Sequence, residues 1–370
     1  MREDRMDRRT FLGIGVGAAL SGPLLAAARR ESFDAAAEIL AKAAASGQVA
    51  GSSLVVRHGK EEFARAFGTA RTPEAMFLLA SVTKTLTAAA VMTLVDREKL
   101  RLEDPVSKVI PEFAADSRKT ITLKHLLTHT SGLPDQLPEN QALRKSHATL
   151  LQFVEATVKT PLLFEPGTRY SYSSMGILLA SEMARRITST DFAEFVDRAV
   201  FQPLGMKRSV MGLGRFKREE MVENQLDHAA PESGAGDPSA KEWDWNSPYW
   251  RALGAPWGTV HASAPDVARF YTEFLHPTER MLKPETARVM IQNHNPAGLT
   301  PRGLGFAVGP GAGSSGCSER TFGHSGSSGT LVWADPAKDA VCVVLTTLPG
   351  AAAKPHPLRV AADLVAKAVS

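Results

Sequence analysis

Cysteine is almost absent: Cys317 and Cys342 are the two in 370 residues. A scaffold stapled by disulfides is therefore excluded, and neither thiol stands beside a histidine at metal-binding spacing. Two free, half-buried cysteines are expected, with a single disulfide between them, permitted outside the cytoplasm, as the alternative. A bulk charge of one sign is also missing, because the formal net charge is only +4 and the basic residues are scattered. Nothing in that pattern calls for a nucleic-acid partner. Beyond the N-terminus no segment is long and apolar enough to span a bilayer. Internal repeats are absent. So is a Gly-x-Ser-x-Gly elbow, which argues against the α/β-hydrolase architecture. Tryptophan is scarce, yet Trp243, Trp245, Trp250 and Trp257 fall together beside Tyr249. They either floor an aromatic cleft or pin a long loop to the body. With 44% hydrophobic and 22% charged residues, the chain has material for a large core.

The N-terminus, MREDRMDRRTFLGIGVGAALSGPLLAAARR, reads as an export signal. It has a charged start, a mild apolar stretch from Leu12 to Ala28, and small residues Ala26-Ala27-Ala28 at a cleavage position. Arg8-Arg9-Thr10-Phe11-Leu12 resembles a twin-arginine signal, the class that exports folded proteins. Cleavage near Ala28 is expected, with an uncleaved anchor as the alternative. The expected location is periplasmic or secreted, with residues 29–370 as the remaining domain and no stable membrane span.

Along that domain, 33–45 reads as an amphipathic helix. GSSLVVRHG and EEFARAFGTA read as strands joined at His58-Gly59-Lys60. A helix from Lys84 to about Val95 is apolar nearly all round and should be buried. Residues of about 100–258 are mostly helical segments and loops. Within them, MGLGRFKREEMVENQLDHAAPESGAGDPSAKEWDWNSPYW lacks periodicity and reads as a long ordered loop over a site. Another helix follows Ser263 as cap. RTFGHSG, GTLVWADP and AVCVVLTT return to strands, and a last helix starts near Pro357. Strands at both chain ends with helices between predict one mixed α/β domain. Its antiparallel sheet joins 51–57 and 62–67 with 320–326, 329–334 and 340–346, helices cover both faces, and a mostly helical region is inserted.

The chemistry centres on SVTK. Serine is a poor nucleophile until something takes its proton. On a helix, Lys84 shares a face with Ser81, and the helix start offers N–H groups and positive dipole to developing negative charge. A tyrosine from RYSYSS can act through its phenol as acid or base, and Tyr170 and Tyr172 both remain candidates. In FGHSGSSGT, glycines let a strand run close to a substrate. There the Ser327 N–H can meet an oxyanion opposite the Ser81 N–H. Ser131 precedes Gly132 and Pro134 and reads as a turn residue. His125 and His129 are four apart, as metal pairs can be. No glutamate follows His125 and no third ligand is evident, so they read as structural.

Three marks, SVTK at 81–84, YSS at 172–174 and HSG at 324–326, resemble the class C β-lactamase and penicillin-binding protein family of serine hydrolases, which includes esterases and peptidases. RLEDPVSKVIPEF (101–113), LKHLLTHTSGLP (123–134) and FEPGTRYSYSS (164–174) extend the resemblance over about 35–350. It implies Ser81 as acyl-forming nucleophile, Lys84 as its proton partner and Tyr172 as general base. Ser174, His324, Ser325, Gly326 and Ser327 are implied for substrate and oxyanion. Ser174 stands where Asn is usual, and His-Ser-Gly replaces the Lys-Thr-Gly of many lactam-reactive members. The histidine form resembles the esterase and D-amino-acid peptidase branches. The expectation is an exported hydrolase cleaving a small ester, amide or peptide through an acyl-enzyme, with no cofactor and no metal. A low-turnover penicillin-binding or sensing homologue and a β-lactamase stay open as alternatives. Substrate identity and oligomeric state are not legible.

Overall fold

The computed structural model describes residues 9–235 and 237–370. Six antiparallel strands form the main sheet: β1 (Gly51–His58), β2 (Glu61–Gly68), β6 (Ala307–Val308), β7 (Phe322–Gly326), β8 (Thr330–Asp335) and β9 (Ala340–Thr346). Their order is β2-β1-β9-β8-β7-β6, so the two chain ends meet where β1 pairs with β9. That is the predicted architecture, with β6 as an added edge strand.

Both faces are buried, and the two-residue period of the strands sorts them. Val341, Val343 and Leu345 of β9 join the main core, with Val55, Val332 and Phe322. Cys342 and Val344 face the other way, with Leu54, Val56 and Trp333. The second face is covered by the helix Pro357–Ala368 and by the long N-terminal helix Arg9–Ala45. The N-terminal helix packs from Phe33 onward, through Ala36, Ala37 and Leu40, while Leu24 and Leu25 are exposed. The predicted helix at 33–45 is thus the packed half of a longer one. Of the arginine pair expected to direct export, Arg8 lies outside the described residues. Among the described residues no helix is long and apolar enough to cross a membrane.

The first face carries the helix Ala264–Leu275, capped by Ser263 Oγ as expected, and then the inserted region. At its centre is the helix Thr83–Asp96, buried from Thr83 to Leu94 and packed on the helix Ser174–Thr188. Two short strands and a third make a small second sheet that the sequence does not reveal. In it β5 (Val260–Ala262) lies between β3 (Phe77–Leu78) and β4 (Ser209–Met211). Strands of two or three residues carry too little alternation to be read. Yet this sheet delivers the chain to Ser81.

Candidate active site

Ser81 follows a sharp turn. Ala80 has φ +45°, a left-handed conformation that costs an L-residue about 1–2 kcal/mol. Its neighbours hold it there. The Leu79 N–H donates to Val260 O at 2.8 Å, tying the turn to β5. From the tight connection between β7 and β8, Ser328 Oγ donates to Leu78 O (2.7 Å) and Thr330 Oγ1 to Leu79 O (2.9 Å). Gly326 permits this approach: a Cβ there would lie 2.3 Å from both Leu79 O and Thr330 Oγ1. The strand meets the nucleophile turn backbone to backbone.

Lys84 is one helical turn on and 1% exposed. Its Nζ donates to Ser81 Oγ (3.1 Å) and to Trp257 O (2.9 Å). The segment carrying Trp257 is fixed to the same helix by Thr87 Oγ1 donating to Pro256 O and by the Val260 N–H donating to Thr83 Oγ1. The Lys84 ammonium also lies 4.9 Å from the centroid of the Tyr172 ring.

Tyr172 is placed by stitching two sequence motifs together. The N–H groups of Leu163, Gly167 and Ser171 donate to Gly132 O, Thr130 O and His129 O at 2.8, 2.8 and 3.0 Å. Ser173 Oγ donates to Pro134 O and, as N-cap, receives the Gly176 N–H. Gly132, at φ +82°, allows the contact, since a Cβ would stand 2.4 Å from Phe164 O. His129 Nδ1 accepts the Ser173 N–H at 3.2 Å, and its ring lies 4.7 Å from that of Tyr172. His129 is therefore not paired with His125. His125 instead closes a capping box with Thr122 at the start of the helix Leu123–Leu127.

Ser81, Lys84, Tyr172, Ser174 and Ser327 line one cavity of about 190 Å³. Tyr170 does not line it, and burial pushes its phenol pKa up. Of the three groups implied as nucleophile, proton partner and base, only the first two are in hydrogen-bond contact. Ser81 and Lys84 touch, but the buried Tyr172 hydroxyl has no hydrogen-bond partner among the described residues. The geometry explains why, because two N–H groups of Lys84 go to Ser81 and Trp257 while the Tyr172 ring presents its face to the amine.

Three predicted residues stand outside this cavity. Gly326 serves as the backbone contact already described. Ser325 points to the other side of the strand and lines a separate hollow with His228 and Arg359. His324 is buried with its ring 6.0 Å from that of Tyr172. Its Nδ1–H donates to Ser325 O, leaving Nε2 toward Arg302 Nη2 at 3.4 Å. The same Arg302 nitrogen is 3.0 Å from His129 Nε2. Burial, and then the Arg302 and Lys84 charges, depress the pKa of both histidines well below the ordinary value. They are neutral groups behind the tyrosine.

Several cavity residues were not singled out by the sequence reading. Asp135 Oδ1 accepts both the Ser174 N–H (3.0 Å) and Ser174 Oγ–H (2.6 Å). The Ser174 hydroxyl, implied for substrate binding, is thus committed to Asp135. Arg144 and Glu232 also line the cavity, as do Trp245, Trp250 and Trp257. The long loop does lie over the site. Its aromatics divide between two uses, since Trp243 is buried away from the cavity and the Tyr249 hydroxyl bonds Ala148 O. Of the thiols, Cys317 is half-buried and Cys342 is fully buried on β9, more than expected.

Among curated proteins, the esterase EstB of Burkholderia gladioli is 34% identical over 177 residues, covering 42% of this chain and 45% of EstB. Protein flp of Staphylococcus aureus is 26% identical over 215 residues, covering 55% of this chain and 43% of flp. The chain thus matches less than half the length of these relatives. Among solved structures, EstCE1, a hydrolase with promiscuous acyltransferase activity, superposes with a TM-score of 0.73 at 22% identity, covering 92% of this chain and 98% of its own. The D-amino acid amidase of Ochrobactrum anthropi gives 0.73 at 22% identity, covering 92% and 99%. These likenesses establish the fold. The Beta-lactamase family model matches residues 36–367, and the chain belongs to that family of serine hydrolases.

Proposed function

We propose that this protein cleaves a small ester or amide by forming an acyl-enzyme on Ser81, and that it is exported through a twin-arginine signal. One observation carries the catalytic reading: Lys84 Nζ rests on Ser81 Oγ inside a cavity that Tyr172 also lines. The Ser81 oxygen attacks the carbonyl carbon while its proton passes to the phenolate form of Tyr172, whose oxygen is engaged by no group among the described residues. The Lys84 charge beside the ring offsets the negative charge that the phenolate carries before it takes the proton. N–H groups of Ser81 and Ser327 receive the carbonyl oxygen, each worth on the order of 3 kcal/mol. The tetrahedral adduct collapses by expelling the alcohol or amine, protonated from Tyr172. Water then attacks the acyl-serine, giving its proton to the same group.

Esterase or amidase action ranks ahead of lactam hydrolysis. The strand position that is Lys in many lactam-reactive members is His324, and that ring is buried behind Tyr172. The esterase and amidase relatives support the same order. The site is smaller than the roughly 300–1,000 Å³ of drug-sized ligand pockets, which suits a short acyl or leaving group. Export is supported by the Arg8-Arg9 signal and by packing that begins at Phe33, downstream of the expected cleavage point. A fluorophosphonate probe should label the wild type and not Ser81→Ala, and p-nitrophenyl acetate should be turned over with a burst. Labelling that persists in Ser81→Ala would refute the assignment. Detection of the uncleaved chain in the cytoplasm alone would refute export.

A further inference from the structure

One charge in the cavity is left over. Arg144, from the helix Asn140–Lys145, is 1% exposed and its Cζ stacks 3.8 Å from the Trp250 ring centroid. Its Nε and Nη1 are buried without a hydrogen-bond partner, and among the described residues no carboxylate lies within 4.0 Å of its guanidinium. Two of the other charges lining the cavity have partners. Lys84 is on Ser81 and Trp257, and Asp135 is held by Ser174. Glu232 also lines the cavity but stands beyond ion-pair distance of Arg144. Burial lowers the arginine only to about 10, so it is a cation at neutral pH.

An unpaired buried charge is among the costlier features a fold can carry. A planar guanidinium with open N–H groups is shaped to receive a carboxylate through two parallel hydrogen bonds. Trp250 fixes the plane of the fork. Among the described residues the indole N–H groups of Trp250 and Trp257 are likewise buried without acceptors, so three side chains of the cavity hold unused donors, while Gln136 Oε1 is left as an unused acceptor.

We propose that Arg144 receives a carboxylate carried by the substrate, which makes the preferred substrates anionic esters or amides rather than neutral ones. The inference rests on the acyl-enzyme reading above and adds the substrate class to it. It also supplies, from the helical insert, the fixed cation that the His-Ser-Gly strand lacks.

The test compares kcat/KM for two matched pairs. The first is p-nitrophenyl hemiglutarate against its methyl ester, with the carboxylate on the acyl side. The second is 4-acetoxybenzoate against its methyl ester, with the carboxylate on the leaving group. Wild type should favour the anionic member of at least one pair. Arg144→Met, which keeps an unbranched chain against Trp250, should lower that anionic-to-neutral ratio by ten- to a hundredfold. Arg144→Lys should keep part of it. Ratios unchanged by Arg144→Met in both pairs would overturn the proposal. Should Arg144→Met not fold, Glu232→Gln decides instead: removing that negative charge must raise the ratio, and an unchanged ratio overturns it.

Failure of the acyl-enzyme reading shows separately, as absent fluorophosphonate labelling of Ser81. In that event calorimetry with glutarate on Ser81→Ala and on Ser81→Ala/Arg144→Met decides. Binding weakened at least tenfold by the second substitution supports the carboxylate site. Equal binding, or none to either protein, overturns it.

Discussion

Substituting Gly326 by Ala should damage the nucleophile more than the fold. The added methyl carbon would stand 2.3 Å from Leu79 O and from Thr330 Oγ1, and 3.2 Å from Ala80 Cβ. Thr330 cannot simply turn away, because its hydroxyl donates to the same Leu79 oxygen. Leu79 is fixed from the other side by its N–H on Val260 O, and Ala80 is already in a left-handed conformation. Relief must come from shifting the 79–81 turn against β7. Overpacking of this kind costs about 1–3 kcal/mol of stability. A displacement near 1 Å at the reacting group costs on the order of 10²-fold in rate. Stopped-flow release of p-nitrophenol measures acylation of Ser81, and urea unfolding measures stability. Gly311→Ala serves as control, since a Cβ there meets nothing within 4 Å. Gly326→Ala should lose about two orders of magnitude in burst rate while remaining folded, whereas the control should lose neither. A Gly326→Ala protein that is destabilised but acylates at the wild-type rate would show that β7 does not set the position of Ser81.

Tyr172→Phe should retain the wild-type melting temperature, because the hydroxyl has no partner among the described residues, while acylation falls by roughly 10²- to 10⁴-fold; an undiminished burst would exclude Tyr172 as the base. His129, His324 and His261 are buried with depressed pKa values, about 3 for His261, so the unfolded chain binds their protons first as pH falls. Stability should therefore rise with pH through the window below 6.5, by up to about 1.4 kcal/mol per pH unit for each histidine. Chemical denaturation of His324→Gln should show a shallower slope there, and a slope equal to wild type would place that histidine's proton elsewhere. Residues 29–370 expressed alone should unfold at the same urea concentration as the full chain, since the N-terminal helix packs from Phe33. Cys342 should react with a thiol reagent only on unfolding and Cys317 slowly before it, because burial raises both thiol pKa values.

The sheet was legible because its strands carry local signals. Alternation and β-branched runs mark β1, β2, β8 and β9, and the polar turn at Gly59 marks their hairpin. Burial of both sheet faces follows from strands that are apolar at nearly every position, as in β9. The second sheet was not legible, because two-residue strands such as β3 exist only through partners far along the chain. At the site, the residues that ordered motifs could reach were those whose spacing itself holds the chemistry, as in Ser81 and Lys84 one turn apart. The residues alone leave Tyr170 and Tyr172 both open and the family resemblance picks Tyr172, and the stitched backbone gives the physical reason, since it decides which ring enters the cavity.

The unread half of the site consists of charges whose meaning depends on missing neighbours. Asp135 follows Pro134 as an ordinary turn residue would, and only Ser174, 39 positions away, makes it part of the cavity. His129 was read as structural, and in one sense it is: its Nδ1 takes the Ser173 N–H. That bond, with the ring against Tyr172, makes it a positioning residue for the phenol. Arg302 completes a cluster in which two neutral histidines and a cation lie behind one tyrosine, with no acid among the described residues to balance them. A sequence motif records which groups are present, whereas the electrostatic work is set by which opposite charges are absent. Two cations therefore flank the Tyr172 ring, Lys84 at 4.9 Å in front and Arg302 at 5.9 Å behind. Removing the rear charge by Arg302→Gln should lower the burst rate without altering the ratio between anionic and neutral esters. Loss of that ratio instead would mean that Arg302, rather than Arg144, meets the substrate.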